Sequence, residues 1–322
     1  VSAKKYTFII SATVFLLPII IYALVLLTPP ERYMGEDYPY WMQQKDYVST
    51  ANNQQEVLLF GDSRMKIGAI PTEMGDNVYN LSLAGSDPIE AYYSLRKYLA
   101  NHPNPKAVIL GYGPTHYTKT SGYLGFAVYY RYLDDDEIVE ANRHIKELDG
   151  TDYSMEDFMY KHKFPQFYMQ PMLAGILKDK TKRNHALYQD ACNKKGYWPK
   201  NDKKEEHFIV TPESKQEHFT PLPSVTFYTE AIINLCQKNN IPVIIEQVPL
   251  GNPGLQRMVD SGYTAEYAQY IQSFADKFHI TVNTTIPLYD AHYFQDDHHL
   301  NKKGAERYSH ELTAKYPHIF TN

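Results

Sequence analysis

Residues 56–64 read Glu56-Val57-Leu58-Leu59-Phe60-Gly61-Asp62-Ser63-Arg64. An unbroken apolar run that stops on Gly-Asp-Ser is the trace left by a short strand buried on both faces and followed by a tight turn. A serine in that position stands at the carboxyl end of a parallel sheet, where α/β proteins place their ligands. By itself Gly-Asp-Ser is also ordinary turn chemistry.

Working outward, Asn77 to Leu83 and Ala107 to Tyr112 read as two further buried strands. Between them Pro88 to Asn101 has apolar residues at helical spacing, with Pro in its first turn and Asp87 as its N-cap, which completes a βαβ unit. Regular alternation returns late in the chain. Ser224 to Asn239 reads as a helix, Ile241 to Val248 as a strand, Thr264 to Phe278 as a helix, Ile280 to Thr285 as a strand and Asn301 to Tyr316 as a closing helix. Five strands alternating with helices predict an α/β fold, a three-layer α/β/α sandwich around a five-stranded parallel sheet. Residues 115–223 break the rhythm. Rich in Tyr, His, Lys and Asp, with helices expected near 134–148 and 154–162, they read as an insertion over the carboxyl ends of the strands. Its tyrosines Tyr123, Tyr129, Tyr130 and Tyr132 either line a groove for glycan or acyl chains or pack as a helix face.

Tyr6 to Leu27 is a run of 22 residues without a charge. At ~1.5 Å per residue, a helix of this length crosses a ~30 Å hydrocarbon core. Lys4 and Lys5 precede it, while Glu31, Glu36 and Asp37 with Arg32 follow. The positive-inside rule therefore puts the N-terminal tip in the cytoplasm and everything after residue 30 outside. A cleaved signal peptide fits less well, because the run is long and no small-x-small site precedes Pro29-Pro30. The expected organisation is a tip and transmembrane anchor over 1–30, a juxtamembrane stalk with a short helix over 31–55, and one large domain over 56–322.

The 322 residues carry a formal charge of −5, with 32 Lys and Arg against 37 Asp and Glu, and no basic cluster with interleaved aromatics appears, so nucleic-acid binding is set aside. The two cysteines, Cys192 and Cys236, have no metal-ligand spacing; they form either a disulfide or two free thiols, with Cys236 on the apolar side of a helix.

Near the far end stands Asp296-Asp297-His298-His299-Leu300-Asn301. In a helical turn Asp296 and His299 would project from one side, the carboxylate fixing the imidazole tautomer, and the ring could take a proton from Ser63. A metal cluster of Asp296, Asp297, His298 and His299 is the rival, but adjacent residues rarely converge on one ion and no HExxH-like spacing accompanies them, so neither metal nor cofactor is expected. Arg64, beside the serine, would hold a substrate carboxylate or phosphate, or else pair with Asp87 or Glu90.

Gly61-Asp62-Ser63, the segment Asn80-Leu81-Ser82-Leu83-Ala84-Gly85, and Asp296-x-x-His299-Leu300-Asn301 resemble, in order and context, the first, second and fifth blocks of the SGNH (GDSL-type) hydrolases. The resemblance covers about residues 56–112 and 241–316. It implies that family's flavodoxin-like fold, with Ser63 as nucleophile, His299 as base, Asp296 as its orienter, and the Ser63 and Gly85 N–H groups in the oxyanion hole. With an anchor in front, the chain looks most like the extracytoplasmic branch that works with membrane-bound O-acyltransferases on cell-envelope polymers, in teichoic-acid D-alanylation and alginate acetylation. The partners implied are such an acyltransferase, an acylated envelope polysaccharide, and membrane lipid around the anchor. One block departs: the family's third block carries an Asn that donates to the oxyanion, whereas here Leu110-Gly111-Tyr112-Gly113-Pro114-Thr115-His116 has none. Loss of one such donor costs ~10²–10³ in rate. Thr115 and His116 are the nearest substitutes. The expected function is a serine acyltransferase or esterase acting on acyl esters of envelope polysaccharide. The alternatives are a simple carbohydrate or lipid esterase, and a non-catalytic binding or assembly module.

Overall fold

The computed structural model describes residues 2–120, 122–199, 215–252, 254–296 and 298–320. Strands β1 (Val57–Gly61), β2 (Val78–Asn80), β3 (Ala107–Gly111), β4 (Val243–Ile245), β5 (Leu250–Gly251), β6 (Thr281–Val282) and β7 (Leu288–Tyr289) form two sheets. The larger is five-stranded and parallel throughout, in the order β2-β1-β3-β4-β6. A small parallel pair, β5 with β7, was not foreseen in the sequence.

Side-chain alternation along β1 shows why the apolar run is unbroken. Val57 and Leu59 pack with Ala305, Tyr308 and Leu312 of the closing helix Lys302–Lys315. Leu58 and Phe60 pack on the other face, with Ala91 and Leu95 of helix Pro88–Asn101, Ile232 of Pro223–Lys238 and Ile271 of Tyr263–Phe278. Both faces are covered, so neither tolerates a polar residue; each such side chain contributes about 1.5–3 kcal/mol by burial. Asp87 caps its helix as expected, in a reciprocal box with Glu90.

The strand order reverses between β1 and β3, and the crevice at a reversal of this kind is where an open parallel sheet binds ligands. Gly61 and Gly111 sit side by side there. A Cβ on Gly61 would run into the Gly111 carbonyl and Met65, so only glycine lets the two strand ends close up.

Two expectations change, and the alternative left open for the tyrosines is decided. Residues 38–49 form a helix whose Tyr40, Trp41, Gln43, Gln44 and Val48 are buried in the body, so this part of the expected stalk is a packed element. The insertion does more than cover the strand ends. Its helix Asp135–Asp149 packs on Pro223–Lys238, Pro165–Leu177 packs on the N-terminal helix, and Thr181–Asn193 packs on Tyr38–Ser49. Its returning turn bonds to β2 through the Lys195 carbonyl and the Asn80 N–H. The tyrosines line no groove: Tyr123 and Tyr132 are core residues around Trp41, and Tyr129 and Tyr130 pack against Tyr168 and Tyr38. Both cysteines are free thiols, Cys236 buried and Cys192 exposed. Among the described residues one helix, Ala3–Leu27, is long and apolar enough to cross a membrane.

Candidate active site

Asp62 ends β1 in an extended conformation and N-caps the short helix Ser63–Gly68, its Oδ1 accepting the Arg64 N–H at 2.7 Å. Ser63 is thereby lifted to the first helical position, half-buried at the mouth of the crevice. Asn80 secures the far end of this helix, donating to the carbonyls of Met65 and Ala69 at 3.1 and 2.9 Å. Ser86 donates to the Gly61 and Leu83 carbonyls. The segment from Asn80 to Ser86 is thus wrapped around the serine turn, and at its bend Gly85 takes φ +79°, a conformation that favours glycine.

From the other end of the chain, His299 Nε2 stands 2.8 Å from Ser63 Oγ, and His299 Nδ1 stands 2.8 Å from Asp296 Oδ2. The pair does not lie on a helical turn, as the three-residue spacing suggested. The chain on either side of the pair closes on itself in the antiparallel sense: Phe294 bridges Leu300, and the Gln295 N–H donates to the His299 carbonyl. Phe294 and Leu300 are both buried in the core, which pulls the loop shut. Asp296 Oδ1 accepts the N–H groups of His298 and His299 at 3.1 and 2.7 Å. Burial works against the Asp296 charge, but the hydrogen bond from His299 and the neighbouring imidazoles outweigh it and hold the carboxyl well below the usual range. Asn301 then caps the closing helix through Gly304. Asp297 lies outside the described residues.

Among the described residues, neither the Ser63 nor the Gly85 backbone N–H has a hydrogen-bond partner. An oxyanion formed at Ser63 would require open donors of this kind. Thr115 and His116 lie in a 3₁₀ turn, Pro114–Tyr117. Thr115 is buried, and its carbonyl accepts from Thr118. His116 is directed at Asp62, with Nε2 at 3.2 Å from Oδ2, the same oxygen that accepts the Gly113 N–H at 2.7 Å. Burial penalises the charge of Asp62 heavily, yet His116, Arg64 and the two backbone donors together carry its carboxyl below the usual range. This second Asp–His pair had no signal in the sequence beyond His116 itself.

Arg64 is 4% exposed and lies against Gly113. It makes no ion pair with Asp87 or Glu90, which bond to each other. Behind the serine, Lys66 is also buried, its Nζ donating to the Ser82 and Gly196 carbonyls at 2.9 Å each and lying 5.0 Å above the Tyr40 ring. Burial pulls this ammonium down to about 7. Ligand atoms of Asp296, His298 and His299 fall within 4.8 Å of one another, so a cation could be held there, but it would compete with Asp296 and Ser63 for the nitrogens of His299.

The sequence model of the family described as "Protein of unknown function (DUF1574)" matches residues 40–316, and the chain belongs to that family. A comparison with curated proteins finds no match.

Proposed function

We propose that this DUF1574 protein is a membrane-anchored serine acyltransferase or esterase of the SGNH kind, with its body outside the cytoplasm, carrying acyl groups of cell-envelope polysaccharide on Ser63. The relay Ser63–His299–Asp296, with both hydrogen bonds at 2.8 Å, is the observation that carries this reading. His299 Nε2 takes the proton as Ser63 Oγ attacks the acyl carbonyl carbon, and Asp296 stabilises the imidazolium that forms. The Ser63 and Gly85 N–H groups receive the developing oxyanion. Collapse of the tetrahedral species breaks the acyl–oxygen bond, and the departing alkoxide takes the proton from His299. A sugar hydroxyl or water then repeats the sequence on acyl-Ser63, which restores the serine. A membrane-bound O-acyltransferase is the partner implied, through the resemblance noted above.

The full chain in detergent, treated with a fluorophosphonate probe, should be labelled on the peptide containing Ser63, and Ser63→Ala should abolish the label. Labelling elsewhere, or none with His299 intact, would overturn the reading in favour of a binding module. The cation reading of Asp296, His298 and His299 predicts the opposite response to chelators, with labelling or ester turnover lost after metal removal and restored by a divalent ion.

A further inference from the structure

The insertion carries a second apolar surface beside the N-terminal span. Phe164 to Leu177 is a stretch of 14 residues without a charge, and most of it is the helix Pro165–Leu177. One side of that helix, Tyr168, Met172 and Gly175, packs on Val25 and Tyr33 at the end of the span. The other side faces outward with Met169, Leu173, Ile176 and Leu177, the last 84% exposed. Phe158, in the preceding helix Ser154–Lys161, and Phe164, at the turn just before it, are exposed too. Contiguous apolar exposure on this scale marks an interaction surface.

The depth of this surface can be read from its contacts. Tyr22 donates its hydroxyl to the His162 carbonyl at 2.7 Å, and Tyr22 lies five residues before the end of the Ala3–Leu27 helix. At ~1.5 Å per residue the turn at 162–164 therefore sits about 8 Å below the end of the span. The helix then rises to Gly175, level with Tyr33. Directly after it come Lys178, Lys180, Lys182 and Arg183; Lys180 donates to the Tyr33 carbonyl and Arg183 to the Met34 carbonyl, so the basic cluster stands just outside the span. The helix therefore runs from just inside the end of the span near Phe164 to headgroup height at Leu177, with cations at its upper end, which is the build of an interfacial membrane element.

We propose that the helix Pro165–Leu177 is a monotopic membrane contact, lying in the headgroup region of the leaflet on the body's side and held there by anionic lipid headgroups at Lys178, Lys182 and Arg183. This rests on Ala3–Leu27 crossing the bilayer. The body is then attached at two places and its orientation to the membrane is fixed.

Bimane attached to Leu173→Cys or Leu177→Cys, in a full-length Cys192→Ser background, tests this in vesicles of phosphatidylcholine and phosphatidylglycerol containing doxyl-lipid quenchers; Cys236 is buried and takes no label. Both positions should lose most of their emission, as should Leu16→Cys in the span, while Val259→Cys on the exposed side of the helix Gly254–Asp260 keeps its emission. Quenching at Leu16 without quenching at Leu173 and Leu177 would overturn the proposal and leave the face to a protein partner. If Leu16 also stays bright, the span reading fails and the proposal for the helix Pro165–Leu177 falls with it. Paired substitution Leu173→Glu and Ile176→Glu should restore emission at Leu177→Cys and leave Leu16→Cys quenched.

Discussion

Asp296–His299 and Asp62–His116 each set a carboxylate against an imidazole beside Ser63, and they are built in different ways. The first joins residues three apart where the chain closes on itself, with the Asp296 side chain 30% exposed, and leaves its imidazole bonded to the serine hydroxyl. The second joins residues from two different strand ends, with the Asp62 side chain fully buried and bonded to two backbone N–H groups that set the serine turn. One pair can therefore hold and move a proton, while the other holds the frame in which Ser63 and its open N–H groups sit. On the proposed reading, the same two residue types would do chemistry in front of the serine and positioning behind it.

The sharpest way to break this contrast is to delete each imidazole. His299→Ala should lower fluorophosphonate labelling and turnover of small acetyl esters by ~10³-fold or more, since no other base reaches Ser63 Oγ among the described residues. His116→Ala should keep Ser63 reactive and lower the thermal midpoint instead. Equal losses of reactivity in the two variants would show that the second pair belongs to the chemistry.

The carboxylates should separate in the same direction with smaller effects. Asp296→Asn should cut the rate ~10²–10⁴-fold through the wrong imidazole tautomer and change stability by about 1 kcal/mol or less. Asp62→Asn should cost about 1–3 kcal/mol in a denaturant titration, because asparagine offers one acceptor oxygen where the carboxylate offers two. Both carboxyls are held below the ordinary range, so their contribution to stability is complete above pH ~4 and is lost as pH falls through the depressed native values. The acid limb of the stability curve should therefore flatten in each Asn variant.

How far the sequence disclosed these features follows from how local their causes are. The β1 run and Gly61-Asp62-Ser63 were legible because a strand covered on both faces admits only apolar residues and the turn follows directly from it. Asp296 and His299 were legible as a pair through their spacing, but the antiparallel closure around them was not, since it depends on Phe294 and Leu300 reaching the core. Asp62–His116 was hidden because it depends on the direction of a side chain in a 3₁₀ turn 54 residues later. Helix 38–49 read as stalk for a related reason. Gln43 and Gln44 break its apolar period, yet Gln43 is buried with its amide donating to the Tyr79 hydroxyl. Polar residues satisfied by distant partners are invisible to any local rule.

Lys66 extends the contrast to a third charged group behind the serine and should give the smallest effect. Its ammonium, buried among the Ser82 and Gly196 carbonyls and the Tyr40 ring, is pulled down to about 7, against an ordinary lysine value of ~10.4. Between those two values the unfolded chain binds the extra proton and the folded chain does not, so this group makes stability rise with pH from about 7 to about 10. Below about 7 the lysine is charged in both states and its burial cost is felt in full. Lys66→Met fills the same volume without a titrating group. It should lower the thermal midpoint by leaving two carbonyls unpaired, flatten its rise between pH 7 and 9, and leave fluorophosphonate labelling of Ser63 nearly unchanged. A variant that kept the wild-type pH slope would show that the lysine stays charged in the fold, and a variant that lost the label would move Lys66 from the frame into the chemistry.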